Sequence, residues 1–348
     1  MQYPLISRKE ENTMRKIRIA QIGTNRYSHA PEVFIRLKSM TDLFDVVGYA
    51  LVEDERETCA NKLYAFDGYP ELTLEQILND PTIEAVAVET DEIHLLKYAQ
   101  MAADHGKHIH MEKPGSPSLA DFERLVETMR AKNLVFHVGY MYRYNPFVMD
   151  AMQEAEEGKF GEIFSVEAHM SRNDKPETRK WLGSFPGGMM FYLGCHLVDL
   201  VLRLRGEPTA VVPFNRSTDP DTIGTEDYAM AVMDYPNGAS FVKTCAKETG
   251  GFGRRQLVIC GSNCSVEIKP LEIMQKGDGF LLKTQRTRRK PNSDPVFEES
   301  PVFGRYDKML ESFAAMVRGE KANPYTYDYE LLVFKTLLRC CGVPVDNQ

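Results

Sequence analysis

The hydrophobic and polar positions of the first 140 residues describe short buried strands that alternate with amphipathic helices. Strand patterns lie at 17–22, 45–52, 84–90, 107–111 and 134–140. Helical patterns lie between them, at about 28–39, 54–66, 72–78, 95–105 and 119–132. Strands and helices that alternate at this spacing predict a doubly wound parallel sheet with right-handed crossovers.

The pattern changes after Pro146. One helix to about Glu157 is followed by a run of alternating strands that are separated by strong turn sequences, such as the one at 236–238. Two final helices are predicted at about 305–318 and 327–341. We therefore predict an α/β Rossmann-type domain followed by an α+β domain with a large, mostly antiparallel, open-faced sheet.

Composition limits the possible functions. A chain of 348 residues with 43% hydrophobic and 26% charged residues is a folded protein of about two domains. Its net charge of -8 argues against nucleic-acid binding, and no apolar run approaches the ~20 residues that span a membrane. The basic run at 283–290 is interpreted as a solvated strand end, with binding of an anionic partner as the alternative. Seven cysteines without zinc spacing predict reduced thiols and a cytoplasmic protein.

A charged triplet, Glu112-Lys113-Pro114, follows the strand pattern at 107–111. Ligands of doubly wound sheets bind outside the carboxyl ends of the strands, and burial there can lower the pKa of a lysine from ~10.4 towards neutrality. Lys113 is thus a candidate catalytic residue. An exposed ion pair of Glu112 and Lys113 before a turn explains the triplet equally well when it is considered alone.

The turn after the first strand occupies the position of a dinucleotide fingerprint. Only Gly23 of the three expected glycines is present, and Asn25 and Ser28 stand at the other two positions. Leu51 stands at the end of the second strand, where an acid usually binds ribose hydroxyls. Arg26 could contact a phosphate instead, or it could be an ordinary surface arginine.

A glycine-rich stretch at 187–194 precedes the apolar helix that carries His196. Its glycines would let the backbone pass close to a flat group, and the ordinary pKa of histidine suits proton transfer near neutrality. The alternative is a satisfied core histidine. Asp199 shares a helical face with His196 and could orient a neighbour or form a structural salt bridge. The histidines at 105–110 lack a third ligand with suitable spacing, so no metal site is predicted.

These motifs, in this order over roughly residues 15–340, resemble the Gfo/Idh/MocA oxidoreductases, which include glucose-fructose oxidoreductase and inositol dehydrogenase. The resemblance implies that Lys113 lies beside the nicotinamide and the reacting sugar carbon. In that family the bond between this lysine and the proline is often cis, so a cis bond is expected between Lys113 and Pro114. The resemblance also implies that His196 transfers the proton.

The chain departs from the family pattern at three places. Tyr192 stands where relatives usually have an aspartate four residues before the histidine, Asp91 replaces a proline after Thr90, and the first turn has fewer glycines. Tyr192 can donate a hydrogen bond but carries no charge near pH 7. We count it with Lys113 and His196 as a catalytic candidate.

The resemblance implies further site residues. The expected cofactor-binding residues are Gly23, Thr24, Asn25, Arg26, Tyr27, Thr90, Asp91, His94, Glu112 and Lys113. The expected substrate-binding residues are Arg143, Trp181, Tyr192 and His196. Tyr140, Tyr142 and Tyr144 alternate along a predicted strand, so they are expected to share one face that stacks on sugar or packs at an interface.

Four segments are expected: a disordered extension at 1–14, a dinucleotide-binding domain at 15–136, a substrate and oligomerisation domain at 137–322, and a C-terminal helix at 323–348 that packs back on the N-terminal domain. The implied function is hydride transfer between NAD or NADP, with a slight preference for NAD, and a small polyhydroxylated substrate. A homodimer or homotetramer through the open sheet is implied as well. The alternatives are a non-catalytic regulatory scaffold and an NAD-dependent glycosidase.

Overall fold

The computed structural model of the chain describes residues 15–276 and 278–345, so the expected extension at 1–14 lies outside the described residues. In the N-terminal half, strands alternate with helices in the predicted way. The elements are β1 (Ile17–Ile22), α1 (Ala30–Ser39), β2 (Phe44–Ala50), α2 (Glu55–Thr58), α3 (Leu74–Asn79), β3 (Ala85–Val88), α4 (Leu95–Asp104), β4 (His108–Met111), α5 (Leu119–Ala131) and β5 (Phe136–Val138).

These five strands form one parallel sheet in the order β2-β1-β3-β4-β5, which confirms the predicted Rossmann-type topology. Strands β3 and β5 are buried along their whole length because helices cover both faces of the sheet. The carboxyl ends of β1, β3, β4 and β5 meet at one edge. This edge presents the turn at 23–28, residues 89–94, the charged triplet and the segment that follows Val138.

The second half begins with a helix and continues mostly in strands. The elements are α6 (Pro146–Glu156), β6 (Ile163–Ser171), α7 (Pro176–Trp181), α8 (Cys195–Arg205), β7 (Ala210–Arg216), β8 (Tyr228–Tyr235), β9 (Gly238–Cys245), β10 (Gln256–Gly261), β11 (Ser265–Ile268), β12 (Ile273–Gln275), β13 (Asp278–Lys283), β14 (Gln285–Arg289), β15 (Val296–Glu299), β16 (Phe303–Gly304), α9 (Asp307–Val317) and α10 (Tyr327–Cys340).

Eight of these strands form the large sheet, in the order β15-β14-β11-β10-β6-β9-β8-β7. Its neighbours are antiparallel except for β6 and β9, so the predicted mostly antiparallel sheet is confirmed. The expectation that β12 and β13 belong to this sheet is wrong. They pair with β16 in a separate sheet of three strands, because the chain leaves the large sheet at the turn before β12 and returns to it only at β14.

The expected strand through Tyr140, Tyr142 and Tyr144 is also wrong. Strand β5 ends at Val138, and residues Met141–Tyr144 form a 3₁₀ turn that leads into α6. The reason is local: Asn145 caps α6 with its side chain, and Pro146 occupies the first helical turn. The tyrosines therefore do not share one face.

The last helix contacts both halves of the molecule. Phe334 of α10 stacks on Phe122 of α5, with ring centres 4.1 Å apart, and approaches Phe191 at 6.4 Å. On the other side, Asn215 of β7 donates a hydrogen bond to the carbonyl of Cys340. The helix thus lies against the N-terminal domain and the large sheet together.

The basic run at 283–290 is paired within the protein. Arg286 contacts Glu298, Arg288 contacts Glu154, and Lys283 contacts Glu299. These side chains neutralise carboxylates of β15 and α6, and the Arg286 and Arg288 side chains are mostly buried. Among the described residues, no helix is both long and apolar enough to cross a membrane.

Candidate active site

Lys113 lies at the carboxyl end of β4, where the chain turns out of the parallel sheet. Its peptide bond to Pro114 is cis. The side chain is 7% exposed, and its Nζ donates a 2.8 Å hydrogen bond to the backbone carbonyl of Tyr192. The same nitrogen lies 3.5 Å from Glu112 Oε1. The triplet is therefore buried, and the alternative of an exposed ion pair does not describe it.

The expected lowering of the Lys113 pKa is wrong. Burial is the largest single effect and lowers the pKa, but electrostatic interactions with Glu112 and, to a smaller extent, with Cys195, Tyr192 and Glu92 together more than offset it, so the pKa lies above its usual value. Lys113 therefore stays protonated near neutrality. In this site it can act as a cation and a hydrogen-bond donor, and it is a poor proton acceptor.

His196 is the second residue of α8, and a π-helical turn at Met190–Gly194 leads into that helix. The rings of Tyr140 and Tyr142 lie nearly perpendicular to the imidazole, with ring centres 5.7 and 5.0 Å away. Its buried Nδ1 has no hydrogen-bond partner among the described residues. Burial, followed by the charges of Lys113, Arg255 and Arg305, lowers the pKa of His196 well below its usual value. The ring is therefore neutral and able to accept a proton.

Lys113 and His196 line one cavity of about 50 Å³ at the junction of the two domains. The cavity is lined by Ser28, His29, Val33, His110, Glu112, Lys113, Gly139, Met141, Tyr142, Arg172, Tyr192, Leu193, His196, Arg255, Arg305, Tyr306 and Met309. Sequence reasoning missed His29 and the three arginines, because they reach the cavity from distant parts of the chain.

Three aromatic side chains form a wall beside this cavity. Trp181 lies 4.2 Å from the Tyr27 ring and 5.0 Å from the Tyr192 ring, measured between ring centres. The Tyr192 hydroxyl donates a 2.7 Å hydrogen bond to the carbonyl of Tyr27 and accepts one from Arg172. Tyr192 therefore ties the C-terminal domain to the first turn, in addition to contacting Lys113.

The first turn is held in one shape by specific contacts. Gly23 has a φ of +84°, and a Cβ at this position would lie 2.6 Å from the Cβ of Thr90. The Asn25 side chain donates to the Thr90 carbonyl and to Glu92, and accepts from the Tyr27 backbone N–H. The turn forms without the second and third glycines because a side-chain amide supplies these hydrogen bonds.

A second cavity of about 250 Å³ opens beside this turn. It is lined by Thr24, Asn25, Arg26, Glu53, Asp54, Glu55, Thr58, Cys59, Thr90, Asp91, Ile93, His94, Trp181 and Ser184. Six of the expected cofactor-binding residues thus share one cavity. Gly23 and Tyr27 lie in the adjoining turn, and Glu112 and Lys113 line the first cavity.

Carboxylates dominate the charge of the second cavity. Glu53 has a φ of +51°, and its Oε1 accepts hydrogen bonds from Lys97 Nζ at 2.6 Å and from the Tyr98 hydroxyl at 2.7 Å. The hydrogen bond from Lys97 is the main reason why the pKa of Glu53 is lowered. Asp54 and Asp91 add further carboxylates to the lining, and Arg26 adds a cation.

Arg143 lies outside both cavities. Its guanidinium forms buried ion pairs with Asp199 at 2.7 Å and with Glu330 at 2.6 Å. The structure therefore does not bring Arg143 together with Lys113 and His196. Asp199 belongs to this salt-bridge network, which is the structural alternative that the sequence left open.

The glycine-rich stretch packs against the protein itself and leaves no space for a flat ligand. A Cβ at Gly187 would lie 2.7 Å from the Cα of Cys341, and one at Gly188 would collide with the backbone of Glu226. These glycines allow the segment before α8 to approach α10 and the segment before β8. The expectation of a flat group beside them is wrong.

Two buried glutamates behind the triplet were also missed. Neither Glu89 oxygen has a hydrogen-bond partner among the described residues, while Glu92 accepts from Asn25. Burial raises the pKa of Glu92 to about 7 and that of Glu89 well above its usual range. Glu89 directly follows β3 and Glu92 lies in the turn after it, so the rule that singled out Lys113 at the end of β4 also points to this segment.

Comparison with known proteins agrees with this geometry. A model of the oxidoreductase family GFO/IDH/MocA with an NAD-binding Rossmann fold matches residues 17–140. A model of the GFO/IDH/MocA C-terminal domain matches residues 148–267. The two matches together span both halves of the molecule.

Individual proteins that are similar in sequence to this chain are named as oxidoreductases or dehydrogenases. An uncharacterised oxidoreductase of Escherichia coli strain K12 is 30% identical over 171 residues, which are 49% of this chain and 49% of the relative. The scyllo-inositol 2-dehydrogenase (NADP(+)) of Bacillus subtilis strain 168 is 28% identical over 241 residues, 66% of this chain and 62% of the relative. In the first of these matches the chain thus spans about half the length of the curated relative, and in the second about three fifths.

The fold is shared over nearly the full length. The crystal structure of a putative NADPH-dependent oxidoreductase from Desulfitobacterium hafniense superposes with a TM-score of 0.77 at 16% identity. The superposition covers 94% of this chain and 95% of the other chain. The two family matches, the shared fold and the Glu112-Lys113-Pro114 triplet show that this chain belongs to the Gfo/Idh/MocA oxidoreductase family.

Proposed function

We propose that this protein is a nicotinamide-dependent oxidoreductase that moves a hydride between NAD(P) and a hydroxyl-bearing carbon of a sugar-like or cyclitol-like substrate. One observation carries the proposal: Lys113 and His196 line the same buried cavity at the carboxyl ends of the parallel strands. The scyllo-inositol 2-dehydrogenase among the relatives supports the substrate class.

Lys113 is protonated and His196 is neutral, so the two residues have different roles in the reaction. In the oxidation direction, neutral His196 takes the proton of the substrate hydroxyl, and the Lys113 ammonium stabilises negative charge on the same oxygen. Tyr140 and Tyr142 pack nearly perpendicular to the imidazole and restrict its orientation. When bound, the nicotinamide supplies the hydride chemistry.

The residues around the first turn fit a dinucleotide. Gly23 allows the tight turn at the end of β1 with its φ of +84°, and the buried Thr24 hydroxyl has no partner among the described residues. The cavity beside the turn has space for a ligand of about 250 Å³. Gly23, Thr24 and Arg26 would hold the phosphates, because backbone N–H groups and a cation at this turn suit anions.

The charges of the second cavity favour NAD over NADP. Glu53, Asp54 and Asp91 line it together with a fourth acid, Glu55, whose pKa burial raises to about 7, against the single arginine Arg26. The extra phosphate of NADP would bring like charges together in this space, which costs binding energy. Glu53 is also held in place by Lys97 and Tyr98, so it is available to accept hydrogen bonds from ribose hydroxyls.

The cavity around Lys113 is small in this structure. Its volume of about 50 Å³ compares with about 30 Å³ for one water molecule and ~300–1,000 Å³ for ordinary ligand sites. A sugar therefore fits only after side chains around the cavity move. This small volume, together with the presence of Tyr192 in place of the usual aspartate, favours the second candidate, a non-catalytic scaffold of the same fold.

We further propose that the open face of the large sheet forms a homo-oligomer. Val212 and Phe214 of β7 are 49% and 44% exposed, and they pair with Val232 and Met230 on the same face. An uncovered apolar face of this kind is typical of a subunit interface. Light scattering should show a dimer or tetramer, and a monomer at micromolar concentration would contradict the proposal.

Binding of the cofactor is the first experiment. Trp181 is the only tryptophan of the chain and lines the second cavity, so its emission should change when NADH or NADPH is titrated. Calorimetry on the same samples excludes inner-filter artefacts. Micromolar binding of either cofactor would support the oxidoreductase and justify a screen of sugars and cyclitols. Absence of binding by both methods at millimolar cofactor would favour the scaffold.

A further inference from the structure

Four cationic side chains line the small cavity around His196. They are Lys113, Arg172, Arg255 and Arg305, and the only carboxylate in the same lining is Glu112. Arg172 directly follows β6, Arg255 precedes β10 and Arg305 follows β16, so the three arginines come from separate parts of the C-terminal domain. Their convergence is a property of the folded site.

The carboxylates around the cavity do not balance these cations. Lys113 is paired with Glu112 at 3.5 Å, and Arg172 is paired with Asp174 at 2.9 Å. Arg255 and Arg305, however, share one partner, Glu272, at 2.8 and 2.9 Å. Four cations therefore face three carboxylates, and the surplus positive charge belongs to the pair of arginines.

The buried glutamates behind the triplet do not remove this surplus. Burial raises the pKa of Glu89 well above its usual range, which disfavours its charged form. Burial also raises the pKa of Glu92 to about 7, so Glu92 carries only part of a charge there. Neither residue lines the cavity.

Glu272 has little remaining capacity to neutralise its two arginines. Its Oε2 accepts a 2.6 Å hydrogen bond from the Tyr142 hydroxyl in addition to those from Arg255 and Arg305. The buried Nε atoms of Arg255 and Arg305 have no hydrogen-bond partner among the described residues. Unsatisfied buried cationic donors are costly, and an anion in the cavity would relieve this cost.

The pKa values of two histidines reflect the positive charge around the cavity. His29 and His196 both line the cavity, and burial is the main cause that lowers the pKa of each well below its usual value. Arg305 and Lys113 lower both pKa values further. A neutral polyol would leave this field unchanged, whereas an anionic ligand would be attracted into it.

We propose that the substrate of this enzyme is a polyhydroxylated anion, with a carboxylate or phosphate group that Arg172, Arg255 and Arg305 bind while Lys113 and His196 face the hydroxyl to be oxidised. The inference rests on the proposed function and specifies its substrate class. Arginine suits the task because its planar guanidinium can donate two parallel hydrogen bonds to such an oxyanion.

The proposal gives the anion a second role. Negative charge close to His196 favours the protonated imidazole and raises its pKa back towards the range of a general base. A charged substrate would therefore activate the residue that accepts its proton. A neutral analogue of the same shape would bind more weakly and also react more slowly.

Calorimetry with matched ligand pairs tests the proposal, both without cofactor and with saturating NADH. The two members of each pair share a carbon frame and differ at one group, which carries the negative charge: gluconate against glucitol, galactonate against galactitol, and glucose 6-phosphate against glucose. We expect at least one anion to bind at least tenfold more tightly than its neutral partner. The carboxylate and phosphate pairs identify the anionic group. If no anion binds more tightly in any pair, the proposal is overturned.

Three variants locate the effect. Arg172→Gln should weaken binding of the anion more than binding of its neutral partner and so reduce the preference for the anion at least fivefold. Arg289→Gln, at an exposed arginine paired with Glu267 on the large sheet, should leave the preference unchanged. Arg172→Lys, which keeps the charge, should retain most of the preference. An equal preference in all four proteins would overturn the assignment. Titration of NADH on each sample distinguishes these failures from a failure of the proposed oxidoreductase function.

Discussion

Lys113 and Tyr192 join the two domains at the cavity. Lys113 Nζ donates a 2.8 Å hydrogen bond to the Tyr192 carbonyl and lies 4.4 Å from the centre of the Tyr192 ring. The strand-end lysine of the parallel sheet is thereby fixed to the π-helical turn that leads into α8 and His196. The position of one proposed catalytic residue thus depends directly on the segment that carries the other.

Replacing Lys113 should remove activity without unfolding the protein. Lys113→Ala removes the cation that stabilises the substrate oxygen, and we expect kcat to fall roughly 10²- to 10⁴-fold. Steady-state kinetics and thermal unfolding measure the two effects separately. Lys308→Ala, which removes an exposed lysine paired with Glu311, is the control. Normal turnover of Lys113→Ala would contradict the proposed role.

The Tyr192 hydroxyl should contribute to stability and to cofactor affinity. Tyr192→Phe removes a buried 2.7 Å hydrogen bond to the Tyr27 carbonyl, which we expect to cost about 1 kcal/mol in the free energy of unfolding. The first turn is less firmly held in this variant, so NADH should bind more weakly. Urea unfolding and calorimetry measure both quantities. Tyr64→Phe, at a residue that is 57% exposed, is the control, and equal behaviour of the two variants would refute the prediction.

Gly23 should tolerate no side chain. Gly23 and Gly68 have φ values of +84° and +85°, but only a Cβ at Gly23 meets a neighbour, at 2.6 Å from Thr90 Cβ, while Gly68 faces open space. Gly68→Ala should therefore lower the free energy of unfolding by only about 1–2 kcal/mol, which is the cost of a side chain in the left-handed backbone region. Gly23→Ala should lower it by more and should abolish cofactor binding. Urea unfolding of both variants tests this. An equal loss of stability would show that the contact with Thr90 is unimportant.

Glu53 should favour NADH over NADPH. Glu53→Gln removes one carboxylate from the second cavity and keeps the side-chain shape, so NADPH should gain about threefold to tenfold in affinity relative to NADH. Calorimetric titration of both cofactors gives the ratio. Glu57→Gln removes an exposed carboxylate of α2 outside the cavity lining and should leave the ratio unchanged. A ratio that is the same in Glu53→Gln as in the unaltered protein would disprove the charge argument.

Glu92 should make the protein less stable as the pH rises. Burial raises its pKa in the folded state to about 7, so between the unfolded pKa near 4.5 and pH 7 the folded protein binds the proton more tightly than the unfolded chain does. As the pH rises from 5.5 to 8, ionisation of Glu92 should lower the free energy of unfolding by roughly 2 kcal/mol. Glu92→Gln should flatten the pH dependence of the free energy of unfolding by that amount.

Urea unfolding of both proteins at the two pH values measures this difference. Glu127→Gln, on the outer helix α5, is the control and should follow the unaltered protein. If Glu92→Gln keeps the full pH dependence, the carboxyl of Glu92 is not protonated in the folded state, and the prediction is wrong.

Local sequence patterns were sufficient for the parallel sheet. Each strand from β1 to β5 has its own apolar run, and Gly106 and Ser118 mark the end of one helix and the start of another. The triplet at the end of β4 could also be found, because ligands of such sheets bind at the carboxyl ends of strands. His196 was found in another way, from its place after a glycine-rich stretch and from the family resemblance. Local patterning failed at Tyr140–Tyr144, where the cap of the following helix overrides the alternation.

Tertiary structure alone decided the charge of the site. Arg172, Arg255 and Arg305 are separated by many residues, and nothing in the sequence around each of them indicates a common cavity. The same holds for the pKa values: the sequence shows that Lys113 has an acidic neighbour, but the balance between burial and Glu112 depends on three-dimensional distances. Local periodicity thus determined the elements and the strand-end candidates. Which charges face one another is a long-range property that only the packed fold decides.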